Sequence, residues 1–227
     1  MPAEAATELL RSMTRAFPGR IAAVSSFGAE SAVLLHLLAS IDRTMPVIFV
    51  DTGKLFGETL AYRETLAHRL RLTDVRTAGP DPAVMATQDV HGTLWREAPD
   101  YCCGLRKVDP LDAALQGFAA WITGRKRAQG GSRVGLDSVE IGPDGRIKIN
   151  PLAEWSAAEI AAYFVAHDLP RHPLAAFGYR SIGCTPCTRV AAPGEAPRAG
   201  RWAGTDKTEC GIHTRRPISD PSGSLRA

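Results

Sequence analysis

A cysteine and a histidine lie three residues apart near the C-terminus, in the segment Glu209-Cys210-Gly211-Ile212-His213. A structural cysteine normally lies in an apolar run, whereas this segment is mostly polar and contains a glycine. The pattern predicts that Cys210 is a thiol that can be reached and that reacts. For His213 an ordinary surface histidine is the alternative.

The other cysteines form two close pairs, Cys102-Cys103 and Cys184-Thr185-Pro186-Cys187. Residues 1–17 lack the basic start and continuous apolar centre of a signal peptide, so we expect a cytoplasmic protein whose thiols are not joined in disulfides. Four thiolates from two segments match the tetrahedral ligand set of a structural zinc ion or of a [4Fe-4S] cluster. The residues therefore predict a metal site and leave the metal open.

A short apolar strand at residues 21–24 leads into a loop at residues 25–31 and then a helix at residues 32–39. This order aims backbone N–H groups and a helix N-terminus at an anion. An ordinary turn is the alternative, because serine and glycine are common in turns. The candidate phosphate- or sulfate-binding residues of the loop are Ser25, Ser26, Gly28, Glu30 and Ser31.

Polar residues also follow two later predicted strands, residues 47–50 and 119–124. Strands that alternate with helices predict an α/β fold with an open, mostly parallel sheet flanked by helices, and such sheets bind ligands at the carboxyl ends of their strands. A hairpin at the sheet edge is predicted for residues 138–149. The candidates at the strand ends are Asp51, Thr52, Gly53, Gly124 and Arg125.

The composition of the chain distinguishes between a membrane, nucleic acid and a small anionic ligand as its binding partner. A chain of 227 residues with 44% hydrophobic and 22% charged residues is typical of a globular protein, and no apolar run approaches the roughly 20 residues of a membrane span. Basic residues, including Arg198 and Arg201, crowd the last fifty or so positions, but only 7% of residues are aromatic, so a small anionic ligand is favoured over nucleic acid. We expect a nucleotide-binding domain at residues 1–190 and a mobile tail at 191–227.

Together these segments resemble the assimilatory sulfonucleotide reductases, and within them the iron–sulfur adenosine 5′-phosphosulfate (APS) reductases. The resemblance covers residues 21–213. It rests on separated motifs in the family's order: Ser25-Ser26-Phe27-Gly28-Ala29-Glu30-Ser31, which is similar to a modified PP-loop, Asp51-Thr52-Gly53, Cys102-Cys103 with Lys107, residues 121–127, residues 182–189, Gly200-Arg201-Trp202 and Glu209-Cys210-Gly211-Ile212-His213.

The resemblance implies a PP-loop fold like that of the adenine nucleotide alpha-hydrolases, and a [4Fe-4S] cluster on Cys102, Cys103, Cys184 and Cys187 that supports the substrate pocket. It also implies that Cys210 attacks the sulfur of APS, giving AMP and a thiosulfonate from which thioredoxin, glutathione or glutaredoxin releases sulfite. Lys107, Arg198, Arg201 and His213 would then surround the phosphosulfate. We expect a homo-oligomer.

Three alternatives remain at this point. The enzyme could accept 3′-phosphoadenosine 5′-phosphosulfate (PAPS), alone or besides APS. An ATP-using PP-loop enzyme is disfavoured, because its loop usually reads Ser-Gly-Gly-x-Asp-Ser where this chain has Phe27 and Glu30. A zinc-stabilised nucleic-acid-binding module is the third. The chain departs from the family pattern after Trp202, where Ala203-Gly204 follows in place of further tryptophan.

Overall fold

The computed structural model describes residues 2–213, and within them one six-stranded sheet lies at the centre of the fold. Its strands are β1 (Ile21–Ser25), β2 (Val47–Val50), β3 (Val75–Ala78), β4 (Ala120–Ile122), β5 (Val139–Ile141) and β6 (Ile147–Ile149). They lie in the order β3-β2-β1-β4-β6-β5, and only β5 runs antiparallel to its neighbour. The predicted mostly parallel sheet and edge hairpin are confirmed.

The strand order reverses next to β1. The chain adds β2 and β3 on one side of β1 and then returns to place β4 on the other side. Loops that follow β1 and β4 leave the sheet in opposite directions, and this opens a crevice at their carboxyl ends. The predicted loop at residues 25–31 and the basic run that begins at Arg125 both lie there.

Helices cover both faces of the sheet. They are α1 (Pro2–Ala16), α2 (Ser31–Ala39), α3 (Gly57–Leu70), α4 (Pro82–Gln88), α5 (Leu94–Glu97), α6 (Pro99–Cys103), α7 (Asp109–Ala114) and α8 (Ala157–Ala166). The sequence predicts one helix that runs on from the Cys102-Cys103 pair to about residue 116. The structure instead has a π-helical turn, Gly104–Val108, between α6 and α7. Such turns often occur at functional sites, and this one carries Lys107.

Two apolar clusters, one on each face of the sheet, hold the sheet to its helices, and a third, which contains Leu94 and Tyr101, packs α4, α5 and α6 together. On one face α1, α2, α3 and α8 pack on β1 and β2, with Leu10, Leu35 and Leu66 fully buried. On the other face Trp121 packs with Leu111 and Leu115. Burial on both faces explains why the central strands β1, β2 and β4 are mostly apolar runs. The predicted capping box of Ser156 and Glu159 at the start of α8 is confirmed.

Residues 191–213 contain no helix or strand, apart from an isolated bridge between Thr188 and Arg201. Trp202 is nevertheless buried against the rest of the molecule. The division into a domain and a mobile tail stays a prediction, and its part at residues 214–227 lies outside the described residues. No helix within residues 2–213 is long and apolar enough to cross a membrane.

Candidate active site

A cavity of about 560 Å³ lies at the carboxyl ends of β1 and β4. Most of the residues singled out from the sequence line it: Ser25, Ser26, Gly28, Glu30, Ser31, Thr52, Lys107, Gly124, Arg125, Arg198, Arg201, Cys210 and His213. Asp51 and Gly53 do not line it. Instead the Asp51 carboxylate accepts a hydrogen bond from the backbone N–H of Gly53 at 2.9 Å, so these two residues shape the turn that carries Thr52.

The loop after β1 is held in a constrained conformation. Phe27 has a φ of +47°, which is rare for a non-glycine residue, and its buried ring packs edge-to-face on Phe49. The hydroxyl of Ser25 accepts a hydrogen bond from the Phe27 N–H at 3.1 Å, and that of Ser31 donates to the Gly28 carbonyl at 2.6 Å. Strain of this kind persists where packing fixes it and is common at ligand sites.

Charged side chains on this wall of the cavity are paired. The carboxylate of Glu30 lies 2.8 Å from the buried ammonium of Lys126, which follows β4. Arg125 bonds to Glu140 of β5 and to the Asn150 side chain. The edge hairpin therefore positions Arg125, and Glu30 does not present an uncompensated negative charge to an anionic ligand.

All four cysteines of the predicted metal site line a second, smaller cavity together with Lys107. All are free thiols, and the Cys184 sulfur lies 3.2 Å from the Thr52 hydroxyl. Within residues 2–213 no group of three or more potential ligands is close enough to hold a metal ion as the side chains lie. The donor set itself, four sulfurs converging on one cavity, fits a four-thiolate centre in kind and number.

Burial and nearby charges shift the pKa values of these thiols in different directions. Burial raises the pKa of Cys102 to about 11 and that of Cys103 to about 12. Burial acts in the same direction on Cys184, but the ammonium of Lys107 and the hydroxyl of Thr52 lower its pKa below the usual value. Lys107 and Thr52 therefore favour the thiolate form of one of the four sulfurs.

Lys107 and Trp202 line both cavities, and Lys107 is the charged residue of the two. Burial acts to lower the pKa of its amine, but the sulfurs of Cys184, Cys210 and Cys103 raise the pKa above its usual value. The amine is therefore a fixed positive charge between the four-cysteine pocket and Cys210. The π-helical turn places it there.

Arg201 connects the cysteine loop to the cavity wall. Its guanidinium donates to the carbonyls of Ile182 and Cys187 and lies over the Trp202 ring, 4.5 Å from the ring centroid. A Cβ at Gly183 would lie 2.1 Å from the Arg201 guanidinium, so only glycine permits this approach. Arg198 donates to the Glu209 carboxylate at 3.2 Å. Burial and the nearby Arg133 lower the pKa of Arg198 to about 10, so it remains a cation.

Cys210 is partly exposed and lines the larger cavity, and residues on both sides of it are held by side chains of other segments. Glu209 pairs with Arg133, and the His213 ring stacks on Trp121. Burial lowers the pKa of His213 well below its usual value, and the cations around it act in the same direction. The imidazole is therefore neutral, and the positive charge in the cavity comes from Lys107, the arginines and Lys126.

Comparison with known proteins gives a consistent result. The phosphoadenosine phosphosulfate reductase domain matches residues 20–190. Over 203 residues the chain is 53% identical to an adenosine 5′-phosphosulfate reductase of Mesorhizobium japonicum, covering 89% of this chain and 80% of that protein. Over 209 residues it is 39% identical to a phosphoadenosine 5′-phosphosulfate reductase of Gloeobacter violaceus, covering 90% and 87%.

A solved structure is also similar. The crystal structure of the phosphoadenylyl-sulfate reductase of Candida auris, a phosphate complex, matches with a TM-score of 0.71 at 29% identity, covering 82% of this chain and 90% of that one. The chain belongs to the phosphoadenosine phosphosulfate reductase family. Membership of the sulfonucleotide reductases, predicted from the motifs, is confirmed, and the protein is an oxidoreductase.

The reductase domain match ends at residue 190, before Arg198, Arg201, Cys210 and His213. The placement of these four residues in the cavity therefore depends on the tertiary structure of the tail.

The candidate site residues predicted from the sequence did not include several residues that line the cavity of this reductase. They are Trp121, Lys126, Arg133, Arg171 and Arg180. Lys126 belongs to the basic run after β4, so the run itself was a usable signal for it. Arg133 follows Gly130-Gly131-Ser132 in a segment without any motif, and only its contact with Glu209 distinguishes it.

Proposed function

We propose that this enzyme reduces APS to sulfite and AMP in assimilatory sulfate reduction, with Cys210 as the nucleophile. The observation that carries the proposal is one cavity at the switch point of the sheet, in which the loop after β1, a set of cations and an accessible thiol meet. The loop would take the phosphate of the nucleotide, and the cations would take the sulfuryl group.

The first step would be transfer of the sulfuryl group. The Cys210 thiolate attacks the sulfur of APS, a sulfur–sulfur bond forms, and the bond from that sulfur to the phosphate oxygen breaks. AMP leaves with the electron pair. Lys107, Arg198 and Arg201 offset the negative charges that approach each other in this step. The product on the enzyme is a Cys210 thiosulfonate.

The second step would release sulfite. A thiolate of a dithiol reductant attacks the Cys210 sulfur, the sulfur–sulfur bond breaks, and sulfite leaves with the electron pair. The second thiol of the reductant resolves the mixed disulfide, so the reductant is oxidised by two electrons and Cys210 is regenerated. We propose thioredoxin or glutaredoxin as the dithiol; where glutathione is the reductant, a second glutathione molecule resolves the mixed disulfide and glutathione disulfide forms. The position of Cys210 on an irregular and partly exposed segment supports access for a second protein.

We further propose that Cys102, Cys103, Cys184 and Cys187 hold a [4Fe-4S] cluster, supported by the convergence of their sulfurs on one cavity beside Lys107. Bound there, the cluster would supply fixed charge next to the substrate pocket. The electrons for the reaction come from thiols in the steps above. Free thiols in this number also support a reducing, cytoplasmic environment.

The test is a reaction of anaerobically purified protein with APS and, separately, with PAPS, in the presence of thioredoxin. We expect a brown protein that contains iron and labile sulfide, and that forms AMP and sulfite from APS in equal amounts. A clear preference for PAPS would replace the substrate in this proposal by its 3′-phosphorylated form. A colourless, metal-loaded protein that is inert to both nucleotides would overturn the proposal in favour of the zinc module.

A further inference from the structure

Cys210 is held between two docking points on the same short segment, residues 209–213. The residue before it, Glu209, binds side chains that follow β4. Three residues after it, His213 binds side chains of β4 and β6. The segment has no helix or strand of its own, so these contacts decide where the thiol lies.

The first docking point is the carboxylate of Glu209. Arg133 binds both of its oxygens, through Nε at 2.7 Å and Nη2 at 2.9 Å. Arg198 donates to one oxygen at 3.2 Å, and the Ser132 hydroxyl lies 3.4 Å from the other. The side chains of Arg133 and Glu209 are only 10% and 14% exposed. Bidentate, shielded pairs of this kind are geometrically specific and much stronger than surface ion pairs.

Arg133 is held in place before it meets the tail. Its Nη1 donates to the side-chain oxygen of Gln129, and the same oxygen accepts the backbone N–H of Lys126 at 3.1 Å. Two short 3₁₀ turns, Arg127–Gln129 and Gly131–Arg133, connect these residues. The connection after β4 therefore presents a pre-oriented guanidinium, and little conformational entropy is lost when Glu209 binds it.

The second docking point is His213. Its ring is parallel to that of Trp121, with a centroid distance of 5.4 Å and an interplanar angle of 1°. Lys148, the partner of Trp121 on β6, donates to the His213 carbonyl at 3.1 Å. Ile212 packs on the apolar cluster that contains Trp121.

Gly211 makes the turn between the two docking points possible. Its φ is +93°, and a Cβ there would lie 3.4 Å from Val108 of the π-helical turn. The chain therefore passes close to the element that carries Lys107.

We propose that Arg133 is a positioning residue for the nucleophile: it binds Glu209 and, with the Trp121–His213 stack as second anchor, holds Cys210 over the cavity. The role of Cys210 as nucleophile rests on the proposed function, whereas the docking of residues 209–213 does not depend on it. Arg133 and Arg198 also compensate the charge of Glu209, so the carboxylate beside Cys210 presents no unpaired negative charge to the substrate.

The experiment compares Arg133→Gln, Glu209→Gln and the double variant with the wild-type protein. Glu209→Gln changes only the tail, so it remains informative if Arg133→Gln fails to fold. Arg189→Gln is the matched control, because Arg189 forms an exposed ion pair with Glu195, close to the same tail, and does not line the cavity.

Three quantities are measured. Hydrogen exchange reports docking of residues 209–213. Single-turnover formation of the Cys210 thiosulfonate from APS reports the first step. The dissociation constant of APS, in a Cys210→Ser background, reports substrate binding.

Each single variant should raise exchange in this segment by roughly 10-fold, as expected for loss of a charge-assisted hydrogen-bonded pair. Each should slow the first step by about 10²-fold, the usual effect of a misplaced reacting group, with the dissociation constant of APS changed less than about threefold. Because both side chains act in one contact, the double variant should be scarcely worse than the single ones. The control should match the wild type in all three measurements.

Unchanged hydrogen exchange of residues 209–213 in either single variant would overturn the proposal. It would also be overturned if the effects of the two substitutions on exchange and on the first step were additive in the double variant. Loss of APS binding that equals the loss of rate would make Arg133 a substrate ligand and also overturn the positioning role. Failure of the wild-type protein to convert APS would overturn the proposed function alone, since hydrogen exchange still decides whether Arg133 docks the tail.

Discussion

The five cysteines of this protein fall into two environments that differ in how the chain holds them. Cys102 and Cys103 end helix α6, while Cys184 precedes a 3₁₀ turn and Cys187 ends it, so regular backbone holds all four around one cavity. Cys210 lies on irregular chain that side-chain contacts hold in place. Both environments face Lys107.

Under the proposed function, this contrast separates the thiols that would hold a group from the thiol that would react. A ligand set needs a fixed geometry, which short helices and tight turns provide. A nucleophile that reacts first with a substrate and then with a second protein needs an ordered position for the first step. Its segment must also be able to undock for the second step. Ion pairs and one aromatic stack can be broken without unfolding the sheet, so they suit the second task.

The largest effects should come from substituting one cysteine in each environment with serine. Cys210→Ser should lower sulfite release by at least about 10⁴-fold, as removal of a nucleophile does in other enzymes, and should leave the iron content unchanged. Cys184→Ser should lose iron while Cys210 remains present and can be alkylated. Sulfite formation by Cys210→Ser at a normal rate would contradict the division of roles, as would loss of iron in that variant.

Lys107 tests whether the two environments communicate through charge. Lys107→Met should slow the first step by about 10²–10³-fold, because a positive group aimed at the developing charge is removed. Lys107→Arg should recover part of the rate, since it keeps the charge and changes its position. The rate of thiosulfonate formation in a single turnover checks this, with iron content measured in parallel. If Lys107→Met kept the wild-type rate and iron content, Lys107 would contribute neither to the four-cysteine cavity nor to the reaction of Cys210.

The smallest effect concerns a buried histidine that lies outside both cysteine environments. His172 is buried between a hydrogen bond to the Thr59 hydroxyl at 3.0 Å and one from the Leu174 N–H at 3.1 Å, and burial lowers its pKa to about 4. Below about pH 6.5 the unfolded chain binds a proton at this site that the folded chain does not bind. The free energy of unfolding should therefore fall as pH drops from about 6.5 towards 4, by up to about 3 kcal/mol.

His172→Asn keeps an acceptor for the Leu174 N–H and removes the titration. Urea unfolding of both proteins at about pH 7 and about pH 5 measures the difference. The variant should start less stable and lose less on acidification. An identical dependence on pH in the two proteins would place the acid sensitivity elsewhere in the molecule.

The sequence was most informative where chemistry is carried by local backbone. Apolar runs that end in polar residues located β1, β2 and β4 to within about two residues, and their alternation with helices indicated the parallel sheet. The loop after β1 and the cysteine pairs were recognisable because glycine, serine and thiols have few other reasons to cluster. The π-helical turn was not predictable, because its residues fit an α-helix equally well.

Arg133 and Lys148 were not predictable for a different reason. A buried cation in a sequence looks like any surface cation, and its role depends on a partner that is distant along the chain. Arg133 meets Glu209 across 76 residues, and Lys148 meets His213 across 65.

By itself the sequence determined the fold class and the family and predicted the reacting groups, because each depends on residue type and local spacing. Only the tertiary structure decided how Cys210 is held, that His213 is neutral, and which arginines compensate Glu209. Those properties arise from desolvation and from pairing between segments far apart in the chain. Neither desolvation nor such pairing can be predicted from the neighbouring residues in the sequence.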